Sequence, residues 1–170
     1  MVCLLAAFVG CVAVAQDEED SEKTSSKNSS KKEVPAVVAA LKKTKLVHGK
    51  VNASAKCFVY LQSASWCGPC RKEMPEIVAE YKNMKKAGVE VILCGHDDGK
   101  KGVKGYVKEF KMPFPAVVAK DLKLPGFSQA SGIPHATFVD KNGKVLADGH
   151  GSITLQWQKY VPEEESTDEE

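Results

Sequence analysis

At 170 residues, with 43% hydrophobic and 27% charged side chains, the chain is long enough to bury the core of one domain and gives no sign of a second. Its net charge of +2 conceals an uneven distribution, because residues 34–162 carry 20 bases against 10 acids, a net of +10, whereas residues 163–170 hold six acids and no base. The bases are scattered and no recognition motif accompanies them, which argues against a nucleic-acid partner; lysines such as Lys100, Lys101, Lys104 and Lys108 read as a solvated helix face.

Residues 2–15 form an apolar run too short to span a bilayer, ending in Ala13-Val14-Ala15, an A-x-A pattern ahead of Gln16. Residues 1–15 therefore read as a secretory signal, with a retained membrane anchor or lipidation at Cys11 as the alternatives. The expected location is periplasmic or otherwise extracytoplasmic. Residues 16–33 are charged and Ser-rich with no apolar periodicity, so they cannot bury enough surface to offset chain entropy and read as a disordered linker. A single folded domain is expected over residues 34–162, followed by an acidic disordered tail at 163–170.

Within the domain, residues 34–45 place apolar side chains at helical spacing, and residues 46–55 are ambiguous, a short edge strand being one reading. Lys56-Cys57-Phe58-Val59-Tyr60-Leu61-Gln62 predicts the central strand. A helix follows over residues 68–87, kinked where Pro75 lacks an N–H and ended by Gly88. Val89-Glu90-Val91-Ile92-Leu93-Cys94 is a second strand, and a strand–helix–strand succession of this length implies parallel pairing. Residues 100–110 are helical, 114–119 form a short strand, and 122–131 turn back across the surface. Ala136-Thr137-Phe138-Val139-Asp140 and Lys144-Val145-Leu146-Ala147-Asp148 flank Lys141-Asn142-Gly143, an Asn-Gly hairpin signal, and residues 153–161 read as a short amphipathic helix. The fold class is α/β, with a central mixed sheet of four to five strands flanked by helices.

Ser65-Trp66-Cys67-Gly68-Pro69-Cys70-Arg71-Lys72-Glu73-Met74-Pro75 falls at the first strand-to-helix junction. Two thiols three positions apart fit on one helical turn and can close a small ring. The unpartnered N–H groups and the dipole at the helix start stabilise a thiolate on Cys67, the form in which cysteine reacts. Pro69 lacks only an N–H that would be unpaired there, and Gly68 lets a partner's backbone pass close. The same spacing also suits a structural disulfide or half a metal site. Glu73 projects from the face of Cys70 about one turn on; half-buried near the sulfurs it could carry a proton, and an ordinary exposed glutamate is the alternative. Trp66 suits a core position or a lid beside the thiols. His96 and His135 can share the cysteines' end of the sheet, which leaves open a copper-type site of two thiols plus His135; His48 and His150 receive no role. Cys57 and Cys94 fall at opposite ends of neighbouring parallel strands, at ~3.3 Å per residue beyond disulfide reach, and are expected as buried unpaired thiols.

Trp66-Cys67-Gly68-Pro69-Cys70, Pro75 five residues beyond, and Gly132-Ile133-Pro134 downstream together resemble the thioredoxin superfamily, over residues 47–161. Cys70-Arg71-Lys72-Glu73-Met74-Pro75 looks most like its extracytoplasmic TlpA and ResA branch, some of whose members serve cytochrome c maturation. The resemblance implies a thioredoxin-like fold and a thiol-disulfide oxidoreductase with a redox-active Cys67–Cys70 disulfide, in which Cys67 attacks and Cys70 resolves. It implies that Glu73 is tied to the active site, and that Trp66, Gly68, Pro69, Ile133 and Pro134 face the substrate. The Ile133–Pro134 bond would be cis, beside which a client peptide pairs like an added strand. Gly68-Pro69 matches the reducing members, so a monomeric, cofactor-free reductant of protein disulfides is expected, fed by a membrane electron donor. Where thioredoxins carry a buried Asp six residues before the first cysteine, this chain has Leu61, which shifts proton transfer toward Glu73 or water. The competing class is a metal-binding or non-catalytic interaction module on the same fold.

Overall fold

The computed structural model describes residues 34–161, so the expected signal, linker and acidic tail lie outside the described residues. Cys57–Ser63 (β1) is the middle strand of a five-stranded sheet, and all seven of its residues are buried. Val89–Gly95 (β2) lies parallel beside it and is equally buried. Both strands are covered on two faces, which is why each reads as a nearly unbroken apolar run rather than an alternating one.

The two-residue period of a strand sorts their side chains into two layers. Cys57, Val59 and Leu61 of β1 join Val89, Val91 and Leu93 of β2 on one face. That layer is filled by Gly68–Lys86 (α2), through Met74, Ile77, Tyr81 and Met84, and by Gly99–Phe110 (α3), through Val103, Tyr106 and Val107. Phe58, Tyr60, Ile92 and Cys94 point the other way, toward Val37, Val38 and Leu41 of Ala36–Lys43 (α1). Ala116–Val118 (β3) pairs parallel with β2, His135–Asp140 (β4) antiparallel with β1, and Val145–His150 (β5) antiparallel with β4, giving the order β3-β2-β1-β4-β5. The mixed sheet flanked by helices is the expected architecture.

The hairpin forms where Asn142-Gly143 predicts it. Gly143 takes φ +92°, and the Asp140 carboxylate accepts the N–H groups of Asn142 at 2.8 Å and Lys144 at 2.9 Å. α2 runs through Pro75 and stops at Gly88, whose φ is +87°. Among the described residues no helix is long and apolar enough to cross a membrane.

Two elements differ from expectation. Residues 46–55 do not form an edge strand; a lone antiparallel bridge joins His48 to Ala116. Gly49, at φ +74°, turns the chain away at once, and its α-carbon packs so closely on Pro115 that a Cβ there would lie 2.8 Å from the Pro115 Cα. The C-terminal helix is a 3-10 segment, Gly151–Lys159, with a non-helical Gln156 inside. Its buried residues Gly151, Thr154 and Trp157 recur every third position, the period at which a 3-10 turn stacks side chains on one face.

Trp157 Nε1 donates to Glu80 Oε1 of α2 at 3.1 Å, pinning this segment to the helix that carries the cysteines. Trp157→Phe removes the bond together with part of the buried indole, and is expected to lower unfolding free energy by at least about 1 kcal/mol in urea denaturation. An unchanged midpoint would show that the bond contributes nothing.

Candidate active site

β1 ends at Ser63, and the chain turns through Ala64 to Trp66 before α2 begins. Cys67 is the residue that caps α2, with extended backbone (φ −86°, ψ 108°), and the Cys70 N–H donates to its Sγ at 3.3 Å. One of the helix's unpartnered N–H groups is thus aimed at this sulfur. Cys67 and Cys70 are joined in a disulfide with 5.3 Å between their Cα atoms. Cys67 is 6% exposed and Cys70 is 1%, so both are buried and Cys67 is the less so.

The opposite wall is the loop before β4. Its Ile133–Pro134 bond is cis, and the Ile133 carbonyl oxygen lies 3.7 Å from Cys67 Sγ. Gly68 on one side and Gly132 on the other present bare backbone, since a Cβ at either would meet nothing within 4 Å. Trp66 stands beside them, 69% exposed, as a rim aromatic rather than a core one. Gln62, at the end of β1 and fully buried, fixes the preceding loop: its Nε2 donates to Ser128 O at 2.9 Å, and its Oε1 accepts the Ala130 N–H at 3.1 Å. Gln62 has no distinguishing signal in the sequence beyond being a polar residue ending an apolar strand.

A second network holds the turn from behind. The buried Asp97 carboxylate accepts the Ser65 N–H at 3.0 Å and its hydroxyl as well. Arg71 Nη1 donates to Ser65 O at 3.2 Å, while its guanidinium pairs with Glu109 and lies 5.2 Å over the Phe110 ring. Leu61, 1% exposed, packs in the core where a carboxyl would have to stand.

Glu73, one turn past Cys70, is neither fully exposed nor fully closed off, with 21% of its side chain open to solvent. Its Oε2 is buried with no hydrogen-bond partner, and its Oε1 lies 3.5 Å from His150 Nδ1. Burial pushes its carboxyl above the usual carboxylate range, a push that His150 opposes and Glu76 adds to.

The remaining candidates are accounted for elsewhere. His96 Nε2 lies 3.0 Å from Gln62 Oε1, and burial lowers its pKa against the pull of Asp97. His135 Nε2 lies 2.9 Å from Asp148 Oδ1. The strand register places both rings at the cysteines' end of the sheet, but each is engaged by its own neighbour. Among the described residues no three His, Cys, Asp or Glu side chains gather as a metal site would need. Cys57 pairs with Val89 and Cys94 with Gln62 along β1 and β2, so the two thiols stay apart and unpaired. Burial pushes the Cys57 thiol up to about 12 and Cys94 higher, which leaves both protonated and unreactive.

The sequence profile of the Redoxin family matches residues 28–159. The chain belongs to the Redoxin family. Among this Redoxin protein's relatives, the thiol-disulfide oxidoreductase ResA of Bacillus cereus is 37% identical over 92 residues, 54% of this chain and 53% of that protein. ResA of Bacillus subtilis is 30% identical over 90 residues, 53% of this chain and 50% of that protein. The chain thus spans about half the length of the curated relatives it matches. Of solved structures, tryparedoxin II from C. fasciculata superposes with a TM-score of 0.54 at 26% identity, covering 72% of this chain and 89% of that one. A thiol:disulfide interchange protein from Bacteroides sp. gives 0.53 at 21% identity over 68% and 80%, a likeness of fold. The Redoxin domain is a thioredoxin-like α/β fold.

Proposed function

We propose that this Redoxin protein is a thiol-disulfide oxidoreductase that reduces disulfides of protein clients outside the cytoplasm, through Cys67 and Cys70. The observation that carries the proposal is the Cys67–Cys70 disulfide at the positively polarised start of α2, with Cys67, the less buried of the pair, beside open backbone at Gly68 and Gly132. Relatives named thiol-disulfide oxidoreductases support the chemistry.

In the reduced protein the Cys67 thiolate attacks one sulfur of the client disulfide. A mixed disulfide forms, and the first client thiolate leaves and takes a proton from water. Cys70 then loses its proton and attacks Cys67 Sγ, which re-forms the internal disulfide and releases the second client thiolate. Two electrons have passed from the cysteine pair to the client. Glu73 receives the proton of Cys70, and Trp66, Gly68, Pro69, Ile133 and Pro134 hold the client, whose backbone pairs with the free edge of the loop. Gly68-Pro69 supports the reducing direction, and the Ala13-Val14-Ala15 pattern supports export, in which case a membrane partner returns the electrons.

The test is insulin reduction with dithiothreitol as electron source. The protein is expected to hasten precipitation of the insulin B chain well beyond dithiothreitol alone, and a rate equal to that of dithiothreitol would end the proposal.

A further inference from the structure

We infer that His150 is a positioning residue for Glu73, and that the two form a path by which the proton of Cys70 leaves the site on the solvent side. The inference rests on the function proposed above and deepens it, since His150 would govern the proton step of the resolving half-reaction.

The two oxygens of Glu73 face different surroundings. Oε2 is buried without a partner, in a niche made by Pro134 and Gly151. A Cβ at Gly151 would lie 2.9 Å from that oxygen and 2.6 Å from Pro134 Cβ, so only glycine leaves room for the carboxyl behind the cis-proline loop. The Gly151 N–H donates to Pro134 O at 3.1 Å and holds the niche closed. Oε1 faces outward, 3.5 Å from His150 Nδ1, and the His150 side chain is 57% exposed. One carboxyl therefore joins an enclosed space beside the resolving cysteine's helix to a ring in contact with water.

The ring is held in this orientation. His150 ends β5 and caps the 3-10 segment, where the Ser152 N–H donates to Nδ1 at 3.3 Å and the Ser152 hydroxyl lies 3.1 Å away. Nδ1 accepting that N–H carries the lone pair, so the neutral ring holds its proton on Nε2. The charged groups facing Glu73 are His150 from β5 and Glu76 from α2 itself. His135, directly across from His150 on β4, is occupied by Asp148 and does not compete.

The proton balance is closed. As Cys70 Sγ bonds to Cys67 Sγ, its S–H bond breaks and the proton passes to the Glu73 carboxylate. Glu73 gives a proton to His150 Nδ1, and the imidazolium releases its Nε2 proton to water. The carboxylate is restored and the ring is left with its proton on Nδ1. Taking a proton from water at Nε2 and releasing the one on Nδ1 to water returns it to the starting tautomer, with one proton delivered to solvent overall.

The test uses the whole chain and two readouts. In the oxidised protein, carbon-detected NMR follows the Glu73 carboxyl across pH. His150→Gln removes the partner that opposes the upward push of burial and is expected to raise the Glu73 midpoint further. Single-turnover resolution of a preformed mixed disulfide is then followed against pH. Its acid limb should move with the Glu73 midpoint in His150→Gln, and the double variant should match Glu73→Gln. A Glu73 titration unmoved by His150→Gln, or a moved titration with an unmoved rate profile, overturns the inference. Failure of the wild-type protein to exchange disulfides at all would instead overturn the proposed function, and the NMR coupling would stand apart from it.

Discussion

Cys70→Ser protein mixed with an oxidised client is expected to accumulate as a covalent mixed disulfide through Cys67. Cys67→Ser accumulates none and loses turnover by on the order of a thousandfold or more, as expected when a nucleophile is removed. The asymmetry comes from the start of α2. Cys67 caps the helix on the side of Ile133 at 6% exposure, whereas Cys70 lies within the first turn at 1%. On the proposed mechanism a client is therefore expected to meet the less buried first sulfur before the second. Serine is close to cysteine in size, so both variants should keep the wild-type circular dichroism. Cys57 and Cys94 will not blur the result, because burial keeps both thiols protonated. Non-reducing electrophoresis and mass spectrometry read the adduct and identify the client. Equal trapping by the two variants would remove the assignment of attacking and resolving sulfurs.

The second expected result concerns stability and lies away from the cysteines. Glu90 is fully buried in β2, where its Oε1 accepts the Tyr81 hydroxyl at 3.0 Å and its Oε2 has no partner. Burial pushes its carboxyl up to about 7, against the opposing pull of Tyr81, Lys85 and the Asn52 backbone. The unfolded chain releases this proton near the ordinary glutamate value, while the folded chain holds it to about 7. Stability is thus full below the unfolded value and falls as pH rises through the window between the two. The loss should be about 3 kcal/mol across that window. Glu90→Gln keeps an acceptor for Tyr81 and carries no charge, so urea midpoints at pH 4.5, 6 and 7.5 should show a wild-type decline that the variant lacks. Parallel declines would mean that Glu90 does not ionise on this schedule.

Much of the fold was legible because its signals are local. The apolar runs of β1 and β2, the Asn142-Gly143 turn, and Pro69 inside the start of α2 each follow from short-range sterics or hydrogen bonding. The cysteine pair was legible for the same reason. What stayed hidden depends on register between distant segments. Only the pairing of β4 with β5 brings His150 to the cysteines' end, and only packing of the 3-10 segment on α2 sets its ring beside Glu73. Gln62 is likewise an ordinary strand residue until the loop at Ser128 and Ala130 folds over it. The misread C-terminal element shows a limit of periodicity, since buried positions three apart suit one face of an α-helix as well as a 3-10 turn.

The exposed indole of Trp66 gives the protein an optical gauge of its own. The chain has two tryptophans, and the other, Trp157, is 9% exposed and held by Glu80. Trp66 adjoins the sulfur pair in sequence, and a disulfide drains an excited indole by accepting its electron. Opening the bridge should therefore brighten the solvent-facing part of the emission and leave the buried part constant. Fluorescence in graded glutathione mixtures would then report the midpoint potential directly, with no label attached.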